Sequence, residues 1–367
     1  MRSLNPHDLH AASEAPLRLA AHGFFWTGIE RRPTPGGTVV AGQAYVEYFI
    51  PEALTKPWPI LMLHGGGGQG TDYLGTPDGR EGWAKYFVRQ GYAVYLMDRP
   101  GHGRSPYHPD ALGPMSGLGA YEFISAFFTN PSARPDAYPQ AKLHDQWPGT
   151  GEIGDPALDA FMAGTGPSQA DMAASHLSAQ RAGAEALDLI GPAILMTHSA
   201  AGPCGWMIAD ARPHLIKALV AVEPYGPPFT GMPGGRGTLP YGLTAAPIRF
   251  DPPLADGETL TSVERLAPGP DLVACHVQAE PARAMPGLQG FPIVVATAQA
   301  SWMAADNHGT VDVLRQAGAE VEHLRFEEHG VLGNGHAMML EKNSDEGAAL
   351  ITRWIAGKLG QGESLSP

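Results

Sequence analysis

The sequence predicts an α/β fold, with a mostly parallel central sheet flanked by helices and two inserted segments. Three observations predict it. Short apolar runs, such as PILMLHG at 59–65 and YAVYLMD at 92–98, have the length and composition of buried parallel strands. Between those two lies a helical pattern at 78–90, so strand, helix and strand form a parallel unit. A third run, AILMTH at 193–198, passes straight into Ser199 and a segment of small residues.

The remaining elements follow in order. About the first 20 residues read as an arm. Strands are expected at 24–31 and 38–50, joined by the turn-forming Pro33-Thr34-Pro35-Gly36-Gly37. A glycine-rich loop spans 65–70. The helix at 78–90 carries Trp83, Tyr86 and Phe87 at helical spacing and stops at Gly91. Segment 106–169 is interrupted by prolines from Pro109 to Pro167 and reads as a partly helical insertion. Helices at 170–189 and 200–211 flank the strand at 193–198, and a strand at 216–223 ends on Glu223. A second insertion rich in Pro and Gly covers 224–290. Strands at 292–297 and 321–326 enclose a helix at 309–316, and a helix at 346–359 closes the chain. There is no internal repeat. The β–α rhythm continues through both insertions, so 1–367 is read as one catalytic domain with cap insertions at about 106–169 and 224–290.

Composition narrows the function. The net charge is −13 and no basic stretch is present, which argues against a nucleic-acid partner. Two cysteines, Cys204 and Cys275, do not make a disulfide framework, and whether they pair is left open. No segment has the roughly 18 consecutive apolar residues of a membrane span, so no membrane partner is expected. The N-terminal stretch lacks a secretory apolar region, and the reading is cytoplasmic, with a processed secreted form as the alternative. No H-E-x-x-H or clustered Cys/His spacing suggests a metal, and no cofactor is expected.

Ser199 is the candidate nucleophile. A strand that runs into a serine and then a helix makes a strained turn that lifts the hydroxyl above the sheet edge. The usual pattern is G-x-S-x-G, and here Thr197 and Ala201 stand in place of both glycines. The plain alternative is a serine that caps the following helix. The Ala200 N–H lies at that helix start and is a candidate oxyanion donor. The second donor is expected from His64-Gly65-Gly66-Gly67-Gly68, at Gly66 with Gly67 as the alternative. A phosphate loop is the rival reading, but the G-K-[ST] that reaches phosphate is missing. The candidate base is His336, in Gly333-Asn334-Gly335-His336, with His329 as its nearest competitor. The acid is read as Glu223, at a strand end, or Asp306, after the next strand. Phe123, Phe127, Phe128, Trp147, Phe161 and Trp302 are candidates for pocket lining, with core packing as the default reading of any one of them.

Taken together, the motifs resemble the bacterial 713-type esterases of the α/β-hydrolase superfamily. The matching residues are the HGGGG loop, Thr76-Pro77-Asp78-Gly79-Arg80 with Gly82-Trp83, Gly101-His102-Gly103-Arg104-Ser105, His198-Ser199 with Gly202, Val222-Glu223-Pro224 and Gly333-Asn334-Gly335-His336. They run in order through most of 40–360 and thin out in both insertions. The resemblance implies a Ser199–His336–Glu223 triad, which selects Glu223 over Asp306. It also implies an oxyanion hole from Gly66 and Ala200, and a homodimer. The expected activity is hydrolysis of a small-molecule ester or lactone. C–C bond hydrolysis or lyase chemistry on the same triad, and ligand binding without turnover, are the alternatives, because a fold does not fix a function.

Overall fold

The structure is a computed structural model, and it describes residues 16–117, 119–232 and 237–360. The expected arm therefore falls almost wholly outside the described residues. Eight strands form the central sheet, in the order β1 (Leu19–Thr27), β4 (Ala44–Pro51), β6 (Val94–Asp98), β5 (Ile60–Leu63), β7 (Ala193–His198), β8 (Ile216–Val222), β11 (Pro292–Thr297) and β12 (Glu320–Arg325). From β6 to β12 all neighbours are parallel, while β1 and β4 add an antiparallel edge.

The strands expected at 24–31 and 38–50 are each broken in two. The breaks fall at Gly28 and Gly42, both with positive φ (69° and 68°). The inner halves, β1 and β4, join the sheet. The outer halves, β2 (Glu30–Thr34) and β3 (Gly37–Ala41), turn away as a separate hairpin.

The parallel strands are buried on both faces, which explains their continuous apolar sequences. Ile60, Met62, Ile194 and Met196 face one layer, where helices α1 (Trp83–Arg89) and α6 (Ser344–Leu359) pack Trp83, Phe87, Ile351 and Ile355 against them. The alternate residues Leu61, Leu63 and Leu195 face the opposite layer. There the helices are α3 (Met172–Ile190), α4 (Gly202–Ala211) and α5 (Asn307–Gln316). Trp206 and Ile208 of α4, and Val313 and Leu314 of α5, fill that side.

Helix α1 starts at Trp83, not at residue 78. The preceding residues form a turn of their own. Thr76 Oγ1 donates to Asp78 Oδ1 at 2.5 Å, and Arg80 Nε donates to Asp78 Oδ2 at 2.8 Å. Arg80 also reaches the carbonyls of Glu341 (2.8 Å) and Lys342 (3.1 Å), so this turn ties down the segment after His336.

Segment 106–169 contains short helical turns and helix α2 (Pro156–Ala163), whose N-terminus is capped by Asp155 through the Ala157 N–H. Segment 224–290 holds an unexpected antiparallel ribbon, β9 (Ser262–Arg265) with β10 (Cys275–Gln278). Cys204 and Cys275 are both free and buried. Among the described residues, no helix is long and apolar enough to cross a membrane.

Candidate active site

Ser199 sits at the end of β7, at the sharp turn into α4. Its φ is 52°, a left-handed value rare for a side chain with a Cβ. A short 3-10 turn, Ser199–Ala201, precedes α4, so the helix proper begins at Gly202 rather than Ala200. Glu223, at the end of β8, also has a positive φ, 46°. Each such conformation costs of order 1–3 kcal/mol and persists where the surroundings over-determine it. Here the Tyr225 N–H donates to the Ser199 carbonyl (2.9 Å), and the Glu223 N–H donates to the Ala296 carbonyl (2.9 Å).

Close packing explains the unusual residues at the elbow. The space that a glycine at 197 would leave is taken by Thr197, and the compensating glycine is Gly205 on α4. A Cβ at 205 would lie 2.7 Å from Thr197 Cγ2. Gly205→Ala is therefore expected to cost about 1–3 kcal/mol by overpacking. In a Thr197→Ala background the same change should be tolerated. Urea-unfolding midpoints of the four chains check this, and an equal cost in both backgrounds would contradict it. The glycine loop presses on the elbow in the same way: a Cβ at Gly65 would lie 2.8 Å from His198 Nδ1.

Three side chains from distant positions meet above the sheet edge. His336 Nε2 is 2.8 Å from Ser199 Oγ, and His336 Nδ1 is 2.5 Å from Glu223 Oε2. Burial pushes the His336 pKa below its ordinary value, so the ring is neutral. With Nδ1–H donating to Glu223, Nε2 is left to accept from the serine. Burial pushes the Glu223 carboxyl up, and two other donors oppose that shift. They are the Ser301 hydroxyl to Oε2 (2.5 Å) and the Ala298 N–H to Oε1 (2.8 Å). Asp306, the other candidate acid, stands at the N-terminus of α5 and makes no bond to His336. His329 is exposed at the end of a 3-10 turn.

Two groups to which the sequence assigned no role hold the His336 loop. Glu341 is fully buried and accepts from the Gly335 N–H at 3.0 Å, from Asn334 Nδ2 at 2.9 Å and from His144 Nε2 at 2.7 Å. His198 Nε2–H donates to the His336 carbonyl at 2.9 Å. Sequence carries one signal for the first: a Gly-Asn-Gly loop has little side-chain packing of its own and needs an outside anchor.

The glycine loop is pinned from the end of β6. Arg99 donates a guanidinium N–H to the Gly65 carbonyl (2.7 Å), and its backbone N–H goes to His64 Nε2 (3.0 Å). Asp98 accepts the Gly70 N–H at 2.6 Å. The Gly67 N–H donates to Ser168 Oγ at 3.2 Å. Gly66 faces Ala200 across the cavity mouth, where a Cβ at 66 would lie 3.4 Å from Ala200 Cβ.

A cavity of about 300 Å³ opens onto Ser199, Gly66 and Ala200. Four of the six candidate aromatics line it: Phe123, Phe128, Phe161 and Trp302. The Phe128 and Trp302 rings meet His336 edge-on, at 5.1 and 5.0 Å between centroids. Phe127 lines a neighbouring cavity of about 860 Å³, together with Asp306. Trp147 is core, and its Nε1 donates to Asp155. Among the described residues, no group of three or more His, Cys, Asp or Glu could hold a metal ion.

Comparison with known proteins agrees with this architecture. The family model described as alpha/beta hydrolase fold matches residues 59–247. A probable secreted lipase, phiG, of a fungal species (strain ATCC 74256) is 43% identical over 322 residues, covering 87% of each chain. The atomic-resolution structure of a novel bacterial esterase superposes with a TM-score of 0.61 at 23% identity, covering 95% of this chain and 99% of that one. The sheet order, the elbow and the family match have one consistent reading: the chain belongs to the α/β-hydrolase family.

Proposed function

We propose that this protein is a serine carboxylic-ester hydrolase, an esterase or lactonase, that works through Ser199, His336 and Glu223 and an acyl-enzyme. The observation that carries the reading is the hydrogen-bonded chain from Ser199 Oγ through His336 to Glu223, at 2.8 and 2.5 Å, opening onto a largely apolar cavity. The relative named as a lipase and the structural neighbour named as an esterase point the same way.

The neutral His336 ring takes the Ser199 proton as Oγ attacks the ester carbonyl. Glu223 stabilises the imidazolium that results. The N–H groups of Gly66 and Ala200 receive the developing oxyanion, and each such donor is worth about 3 kcal/mol in related enzymes. Gly67 is the weaker candidate because its N–H is already engaged by Ser168. His336 then returns the proton to the leaving alkoxide. Water, deprotonated by the same ring, attacks the acyl-serine and releases the acid.

Glu223→Gln keeps the shape of the site but removes the anion facing imidazolium. The expected result is a fall in kcat of about 10³- to 10⁴-fold with little change in KM. Steady-state hydrolysis of p-nitrophenyl butyrate measures it. A variant within a few-fold of the parent would remove Glu223 from the reaction.

A further inference from the structure

We propose that the cavity at Ser199 selects esters bearing a cationic ammonium group, and that Asp72 is the residue that reads this charge. The inference rests on the ester-hydrolase reading and names its substrate class.

Asp72 lines the cavity beside Gly68 and is the one carboxylate among the described residues that does so. Its Oδ2 receives a long hydrogen bond, 3.3 Å, from the Gln69 N–H. Its Oδ1 has no hydrogen-bond partner among the described residues, and no cationic side chain stands within ion-pairing distance of the carboxylate. Burial raises its pKa to about 7, with the Asp98 carboxylate adding to the shift and the Gln69 N–H and the longer-range Arg99 guanidinium opposing it. A cation brought to it favours the ionised form and is held in return.

The rest of the wall suits the same ligand. Phe123, Phe128, Phe161 and Trp302 surround the cavity. Aromatic faces attract ammonium groups, most strongly when these are desolvated, and quaternary ammonium recognition commonly uses such rings. Of the other titratable groups on the wall, His198 is kept neutral by burial and Tyr225 carries no positive charge; Arg99, which acts on Asp72 from longer range, does not line the cavity. The net charge of −13 adds a long-range pull on cations. A carboxylate that served only to cap the turn at 70–73 would not need to face the cavity.

The test uses two isosteric esters, butyrylcholine and 3,3-dimethylbutyl butyrate, which differ in a positive nitrogen against a neutral carbon. The parent enzyme is expected to favour the cationic ester by at least about tenfold in kcat/KM, through attraction to the part-buried carboxylate and the aromatic wall. Asp72→Asn, which can still accept the Gln69 N–H, should bring the ratio to near unity. A measurement without any variant supports the same point: tetramethylammonium should inhibit p-nitrophenyl butyrate hydrolysis competitively, and neutral neopentyl alcohol should not. Turnover of both esters at equal efficiency by the parent, or a preference that survives Asp72→Asn, overturns the assignment to Asp72 and leaves the ester-hydrolase reading standing. No turnover of any of the three esters overturns the hydrolase reading and this inference with it.

Discussion

Ser199→Ala is expected to abolish ester hydrolysis, with a fall in kcat of at least about 10⁴-fold. The argument is geometric. Ser199 Oγ is the group that His336 Nε2 addresses, at 2.8 Å, and it lies beside the two candidate oxyanion donors. Alanine leaves Gly66, Ala200 and the cavity in place, so substrate binding should persist. The elbow's φ of 52° is unchanged by this substitution, so its strain stays and the unfolding midpoint should move little. Turnover of p-nitrophenyl butyrate and a thermal melt check both halves. Parent-like turnover from the folded variant would contradict the account.

Glu341→Ala is expected to be the most destabilising single change at the site without touching a reacting atom. The carboxylate takes hydrogen bonds from Gly335, Asn334 and His144 in a fully buried position. Removing it leaves those donors without their acceptor. Breaking such a buried arrangement on one side costs about 3–5 kcal/mol. The loop that presents His336 loosens with it. The same charge favours the His336 imidazolium. Loss of Glu341 should therefore lower the His336 pKa further and move the acid limb of kcat/KM to lower pH. Chemical denaturation and a pH–rate profile measure the two effects. Parent stability with an unmoved acid limb would contradict this role.

Much of the scaffold was legible in the sequence for physical reasons. Strands buried on both faces must be apolar throughout, so β5, β6, β7, β8 and β11 stand out as short runs with turn residues at their ends. The turn at Ser199 is legible because a strand, a serine and a stretch of small residues leave few alternatives. His336 and Glu223 are candidates from their place in chain order and the resemblance. Their distances to one another are a property of the fold alone.

The remainder depends on contacts between distant segments. Gly28 and Gly42 split two strands that read as continuous, because β-branched composition continues through Gly42 into β4. Asp78 and Arg80 fall in the helix expected at 78–90, yet with Thr76 they close a turn, and Arg80 reaches the carbonyls of Glu341 and Lys342. The β9–β10 ribbon is four residues long on each side, with β9 largely exposed and β10 largely buried, so it has too little hydrophobic pattern to read. His144 and Glu341 lie 197 residues apart, and nothing local to either announces the pair. Thr197 looked like a departure from the elbow pattern, and its compensation, Gly205, lies eight residues on, across the helix–strand contact.

The central claim is that Ser199 is activated by His336. Reaction with a fluorophosphonate probe, followed by peptide mapping in a mass spectrometer, tests it most directly. The account predicts a single adduct on Ser199, absent from Ser199→Ala and strongly slowed in His336→Ala. Folded protein that takes up no probe, or that is labelled at another residue, would contradict it.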